Sequence, residues 1–213
     1  MAQYYAENGH FVAGLSRSDS DLGHERYRHF RADVGDAGQI QQVFSKLQGT
    51  RLDVLIYCAG GKANSYALLT PVKDAEDMLR SSILGAFITT RSAVRVMKRN
   101  GFGRVIYLSS VVVPLGQAGS VIYGAGKAGL EQMAFSMSRE FAKDNITFNS
   151  LGLSIYPSRM TEAMSEATLD NTRSALVKPT DMQLDELAGA IDFFASDAAR
   201  QITGQTLYFG GVR

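Results

Sequence analysis

Tyr123 and Lys127 stand four residues apart in Tyr123-Gly124-Ala125-Gly126-Lys127, and Ser110 lies thirteen residues upstream of the tyrosine. These residue types can move a proton. Residues four apart share one face of a helix, so a Lys ammonium beside the phenol favours phenolate and lowers a pKa that starts near ~10. A Ser hydroxyl could then hold the substrate oxygen that the phenol protonates. Taken alone, Tyr-x-x-x-Lys reads as a surface aromatic beside a solvated cation, so the surrounding elements decide its meaning.

Upstream, Gly103-Arg104-Val105-Ile106-Tyr107-Leu108-Ser109-Ser110 reads as a buried strand ending in two hydroxyls. Downstream, Ala125 to Lys143 carries Ala128, Leu130, Met133, Ala134, Met137 and Phe141 at helical spacing, with small residues in its first turn. Further elements alternate along the chain. Met1 to Asn8 reads as the end of a helix, His10 to Leu15 as a strand, and a short strand precedes Asp33-Val34. Ile40 to Leu47 reads as a helix, Val54 to Cys58 as a strand, Asp74 to Arg99 as a long helix, and Arg104 to Leu108 as a strand. After the helix at Tyr123 come a strand at Thr147 to Leu151, a variable segment at 154–179, a helix at Leu184 to Ser196 and a strand at Gln205 to Phe209. Such alternation predicts an α/β fold with a doubly wound, mostly parallel sheet, and one domain over 1–213.

The chain resembles the short-chain dehydrogenase/reductase family, and within it the bacterial 3-oxoacyl-(acyl-carrier-protein) reductases. The matching runs are the Ser110, Tyr123 and Lys127 set, Asp53-Val54-Leu55-Ile56 leading into Ala59-Gly60, Asp33-Val34, and Ile202-Thr203-Gly204-Gln205-Thr206-Leu207 before Gly210-Gly211. The resemblance implies that Ser110 orients a carbonyl, Tyr123 is the general acid or base, and Lys127 lowers the Tyr pKa and holds the nicotinamide ribose, while the cofactor supplies the hydride. It also implies cofactor contacts at Asp33, Ala59, Gly60 and Ser154, a lid over the substrate at 154–179, and a homodimer or homotetramer.

The sequence departs from that family in several places. The family opens on a strand and a Gly-rich turn that meets the pyrophosphate at a helix N-terminus. Here the match begins inside the following helix, at Ala2 to His10. In the usual strand order the first strand is central, so its absence leaves two unpaired inner edges. Either a working protein carries an additional N-terminal segment, or the chain is a cofactor-free relative that serves as a binding or oligomerisation partner. Tyr57 and Cys58 stand where the family has two Asn, and Cys58 is expected as a small buried hydrophobe. Ser82 stands where an Asn holds a water of the proton relay. Leu153-Ser154 replaces a Pro-Gly beside the nicotinamide. Asp144 stands where carrier-protein reductases tend to be basic.

Arg17 follows the second strand, where a cation can meet a ribose 2′-phosphate, and no acidic residue closes that strand to bind a 2′-OH. That favours NADP(H); a solvated turn arginine is the other reading. Asp33 is open in the same way between an adenine contact and a turn or capping residue.

Composition narrows the class. The 213 residues are 45% hydrophobic with a net charge of +1 and one cysteine, which suits one core and gives no sign of nucleic-acid or acidic-membrane binding. A single Cys58 excludes an internal disulfide. His10, His24 and His29 read as surface or turn residues rather than metal ligands. No apolar run reaches the roughly 18 residues of a membrane span, and a cytoplasmic enzyme acting on a small-molecule or acyl-thioester substrate is expected.

Overall fold

Strand and helix alternate as the periodicity requires, in an α/β Rossmann-like arrangement. The computed structural model describes residues 1–60 and 65–212. In chain order the elements are α1 (Ala2–Glu7), β1 (Val12–Ser16), β2 (Tyr27–Arg31), α2 (Ala37–Lys46) and β3 (Val54–Tyr57). Next come α3 (Val72–Leu79), a π-helical turn at Arg80–Leu84, α4 (Gly85–Asn100), β4 (Gly103–Ser110), α5 (Val112–Leu115) and α6 (Val121–Glu140). The chain continues through β5 (Ile146–Leu153), α7 (Arg159–Glu162), α8 (Glu166–Ser174), α9 (Leu184–Ala195) and β6 (Thr206–Tyr208).

All strand pairs are parallel, but they form two separate sheets, β1-β2 and β3-β4-β5-β6. Among the described residues, β1 and β3 each keep one edge without a strand neighbour. β4 is buried along its whole length because helices cover both faces, which is why its sequence is a continuous apolar run rather than an alternation. On one face, Val105, Tyr107 and Phe148 pack with Ala93, Met97, Leu130 and Met137 from α4 and α6. On the other, Ile106, Leu108 and Leu151 pack with Leu187, Ile191 and Phe194 of α9. Phe30, Ala32, Ile40 and Val43 form a separate small core between β2 and α2.

Several boundaries differ from the sequence reading. The helix expected without a break from Asp74 to Arg99 begins at Val72 and contains the π-turn. The widened turn leaves the Ser81 carbonyl to a side chain, the Tyr57 hydroxyl, which donates to it at 2.5 Å. The helix expected from Tyr123 to Lys143 runs from Val121 to Glu140, and Asn145, at φ 53°, turns the chain into β5. His29 is not a surface or turn residue: it lies part-buried in β2, with Nδ1 2.9 Å from the Tyr27 hydroxyl and Nε2 2.9 Å from the Ser18 carbonyl. The segment 154–179 contains α7 and α8, each opened by a Ser side chain accepting a backbone N–H, Ser158 from Thr161 and Ser165 from Thr168.

Candidate active site

Ser110 closes β4 at the C-terminal end of the larger sheet, the end at which open α/β sheets bind ligands. Its Oγ accepts from the Val112 N–H at 3.3 Å, fixing the turn into α5. Tyr123 enters from the first turn of α6 and hydrogen-bonds Ser110. Lys127, one turn further on and only 6% exposed, donates from Nζ to the Leu108 carbonyl at 2.7 Å. The same Nζ lies 5.5 Å from the centre of the Tyr123 ring.

Two more elements complete the site. The π-turn carries Ser82 inward, where it is 2% exposed. α6 approaches the turn closely because Gly129 leaves room: a Cβ there would fall 2.2 Å from Ile83 Cδ1. Gly60, following β3, brings backbone beside both polar groups, since a Cβ on it would sit 3.5 Å from Lys127 Nζ and 3.7 Å from Ser82 Oγ. The fold therefore gathers Ser110, Tyr123, Lys127, Ser82 and Gly60, with half-buried Ala59 adjoining.

Burial dominates the electrostatics. It holds the Lys127 ammonium down to about 8, with Cys58 acting in the opposite sense. The sequence expects Lys127 to lower the Tyr123 phenol; burial instead pushes the phenol above its ordinary value, and the Ser110 hydrogen bond pulls the other way. In this state Tyr123 is a neutral acid able to give a proton.

Of the remaining expected residues, Ser154 adjoins the site, following Leu153, the register partner of Ser110, whereas Arg17 and Asp33 lie on the turns after β1 and β2. Arg17 is exposed in the turn after β1, and its carbonyl accepts from Arg31 Nε at 3.0 Å. The Asp33 carboxylate accepts from the Gly35 N–H at 2.8 Å, the turn role that the sequence left open. Arg80 of the π-turn donates to the Gly35 carbonyl at 2.8 Å, joining this turn to the element that bears Ser82. Ser154 is half-buried just past β5. Cys58 is exposed rather than a buried hydrophobe, because it follows β3 on the sheet edge that has no neighbouring strand. Asp144 is paired with Lys98 at 3.0 Å. Gly210 and Gly211, following β6, take positive φ of 77° and 65°. Glu131, one helical turn beyond Lys127, was not singled out by sequence, although its i, i+4 spacing from Lys127 was there to read.

These side chains lie at the C-terminal strand ends of a parallel α/β sheet, and comparison with known proteins gives the family. The family described as Enoyl-(Acyl carrier protein) reductase matches residues 1–211. The chain belongs to the short-chain dehydrogenase/reductase family of oxidoreductases, whose members typically use NAD(P)H. It is similar to the 3-oxoacyl-[acyl-carrier-protein] reductase FabG of Escherichia coli K12, 30% identical over 99% of this chain and 90% of that protein. The Rickettsia conorii FabG is 31% identical over 84% of this chain and 73% of its own length. A crystal structure of a putative gluconate dehydrogenase from Agrobacterium tumefaciens shares the fold, with a TM-score of 0.89 at 22% identity over 99% of this chain and 88% of that one. Among the described residues no helix is long and apolar enough to cross a membrane.

Proposed function

We propose that the protein reduces a ketone, a 3-oxoacyl thioester or similar small carbonyl, to a secondary alcohol with NADP(H). The observation that carries this reading is the Ser110, Tyr123 and Lys127 cluster at the C-terminal strand ends. Ser110 would hold the carbonyl oxygen and stabilise the developing alkoxide. Tyr123 would give that oxygen its proton. The bound cofactor would supply hydride. Lys127 would hold the nicotinamide ribose, with the Gly60 backbone beside the ammonium. Ser82, buried beside them, would bind a water that returns a proton to the site. Asp33, Ala59 and Ser154 would line the cofactor, and Arg17, on a turn braced by Arg31, would meet a 2′-phosphate.

Residues 154–179 would act as the substrate lid, and the whole of 1–213 as one domain in a cytoplasmic homodimer or homotetramer. Exposed Leu84 at the end of the π-turn, Phe87 of α4 and Phe135 of α6 support association. The separate sheets and the lack of a Gly-rich turn among the described residues support a second reading, a cofactor-free partner protein.

NADPH oxidation with an acetoacetyl thioester, in the chain as given and in a form extended upstream in frame, separates the two. Turnover in either, falling about 10²- to 10⁴-fold in Tyr123→Phe, is the expected result. Folded protein that neither binds NADPH nor turns over would sink the reductase reading.

A further inference from the structure

One row of residues crosses three strands immediately below Ser110. Ser109 of β4 stands opposite Gly152 of β5, and Gly152 stands opposite Tyr208 of β6. The centre of the row is glycine for a physical reason: a Cβ on Gly152 would fall 2.1 Å from Tyr208 Cδ1, so the phenol ring lies across β5. Its hydroxyl thereby reaches α6 and donates to Glu131 Oε2 at 2.7 Å. The Ser109 hydroxyl, from a residue 2% exposed, donates to the other oxygen, Oε1. Burial and the carboxylate both hold the Tyr208 phenol above its ordinary pKa, so it remains a donor.

We infer that Glu131 is a positioning residue, tying α6 through Ser109 and Tyr208 to β4 and β6 so that Tyr123 meets Ser110. The inference rests on the reading of Tyr123 as proton donor. Glu131 lies one turn from Lys127, whose Nζ fastens α6 to the Leu108 carbonyl. Together the two contacts fix both the height and the roll of α6 on the sheet. Ser109 and Ser110 are consecutive, so movement of one carries the other. Buried hydroxyls that lose their acceptor must find another or bear the desolvation cost, and a helix rotated to relieve that cost misaligns the Ser110 to Tyr123 hydrogen bond. That bond favours phenolate, so misalignment raises the phenol pKa further. Among the described residues the cation over the Tyr123 ring is Lys127, and no change is made to it.

The test is fluorine NMR of 3-fluorotyrosine-labelled protein titrated with base, the Tyr123 line being assigned by its loss in Tyr123→Phe. In Ser109→Ala and in Tyr208→Phe, each of which removes one tie and leaves the Glu131 charge in place, the Tyr123 midpoint should move up by about half a pH unit or more, roughly a threefold loss of phenolate, and either serves if the other does not fold. Glu131→Gln also removes a negative charge, a loss that by itself lowers a phenol pKa, so its midpoint should rise by less than theirs. A lower melting temperature in these variants with the Tyr123 midpoint unmoved would overturn the inference. NADPH turnover is measured separately on the parent: no turnover with a displaced midpoint would end the reductase reading and leave the positioning role standing.

Discussion

The two sheets handle their polar groups in opposite ways. In the four-stranded sheet, β4 and nearly all of β5 are buried, and hydroxyls, phenols and a lysine are turned inward among apolar neighbours. In the two-stranded sheet no residue of β1 and only Phe30 of β2 is fully buried, and the residues of interest lie on the turns beyond the strands. In the first region burial shifts the ionisation of both Tyr123 and Lys127. The second is held chiefly by contacts to backbone carbonyls, such as Arg31 to Arg17 and His29 to Ser18, and presents its cation to solvent, where a large charged ligand can reach it. On the function proposed above, reaction chemistry and ligand selection would be separated in space and built on different degrees of packing.

That contrast can be broken most directly by truncating one aromatic in each core. Phe148, 0% exposed between β4, β5 and α6, should cost about 3–5 kcal/mol when changed to Ala. Phe30→Ala, in the small core of β2 and α2, should cost less in the same denaturant unfolding experiment. Equal losses would mean that the two sheets share one core energetically and that the distinction drawn from burial is wrong.

The ligand-selecting role proposed for Arg17 predicts a functional effect without a stability effect. Arg17→Ala should weaken NADPH about tenfold relative to NADH, the scale of one charge-assisted hydrogen bond, and leave the unfolding midpoint unchanged. Calorimetric titration with both cofactors checks this. An unaltered preference would return Arg17 to the role of a solvated turn residue.

The smallest effect concerns pH. Lys127 titrates at about 8 in the folded chain, against 10.5 as its ordinary value. Between those values the unfolded chain binds more protons than the folded one, so stability attributable to this residue rises with pH. Below about 8 the burial cost is present in full. Tyr123, with its pKa raised, begins to act in the opposite sense as pH passes the ordinary phenol value near ~10. The unfolding free energy of the parent minus that of Lys127→Met, followed from about pH 8 to about pH 10, should therefore rise. A flat difference would mean that the ammonium is hydrated and the buried character of this region overstated.

Much of this was legible in the chain. The run Gly103 to Ser110 could only be a strand covered on both faces, and the four-residue spacing of Tyr123 and Lys127 placed them on one helical face whatever lay around them. These features depend on local period and spacing, which the chain carries within a few residues.

What the tertiary structure alone decided has a common physical origin in long-range contact. A π-turn differs from the surrounding helix by one residue of hydrogen-bond spacing, and the apolar pattern hardly registers it; Tyr57, 24 positions from Ser81, supplies its partner. Glu131 meets Ser109 and Tyr208 across separations of 22 and 77 residues, so no window of sequence contains the three together. The direction of the Tyr123 shift belongs here too. Spacing brought a cation near the phenol, but the sign was set by how much protein surrounds both groups, and that is known only when the sheet, the π-turn and α6 have closed on one another.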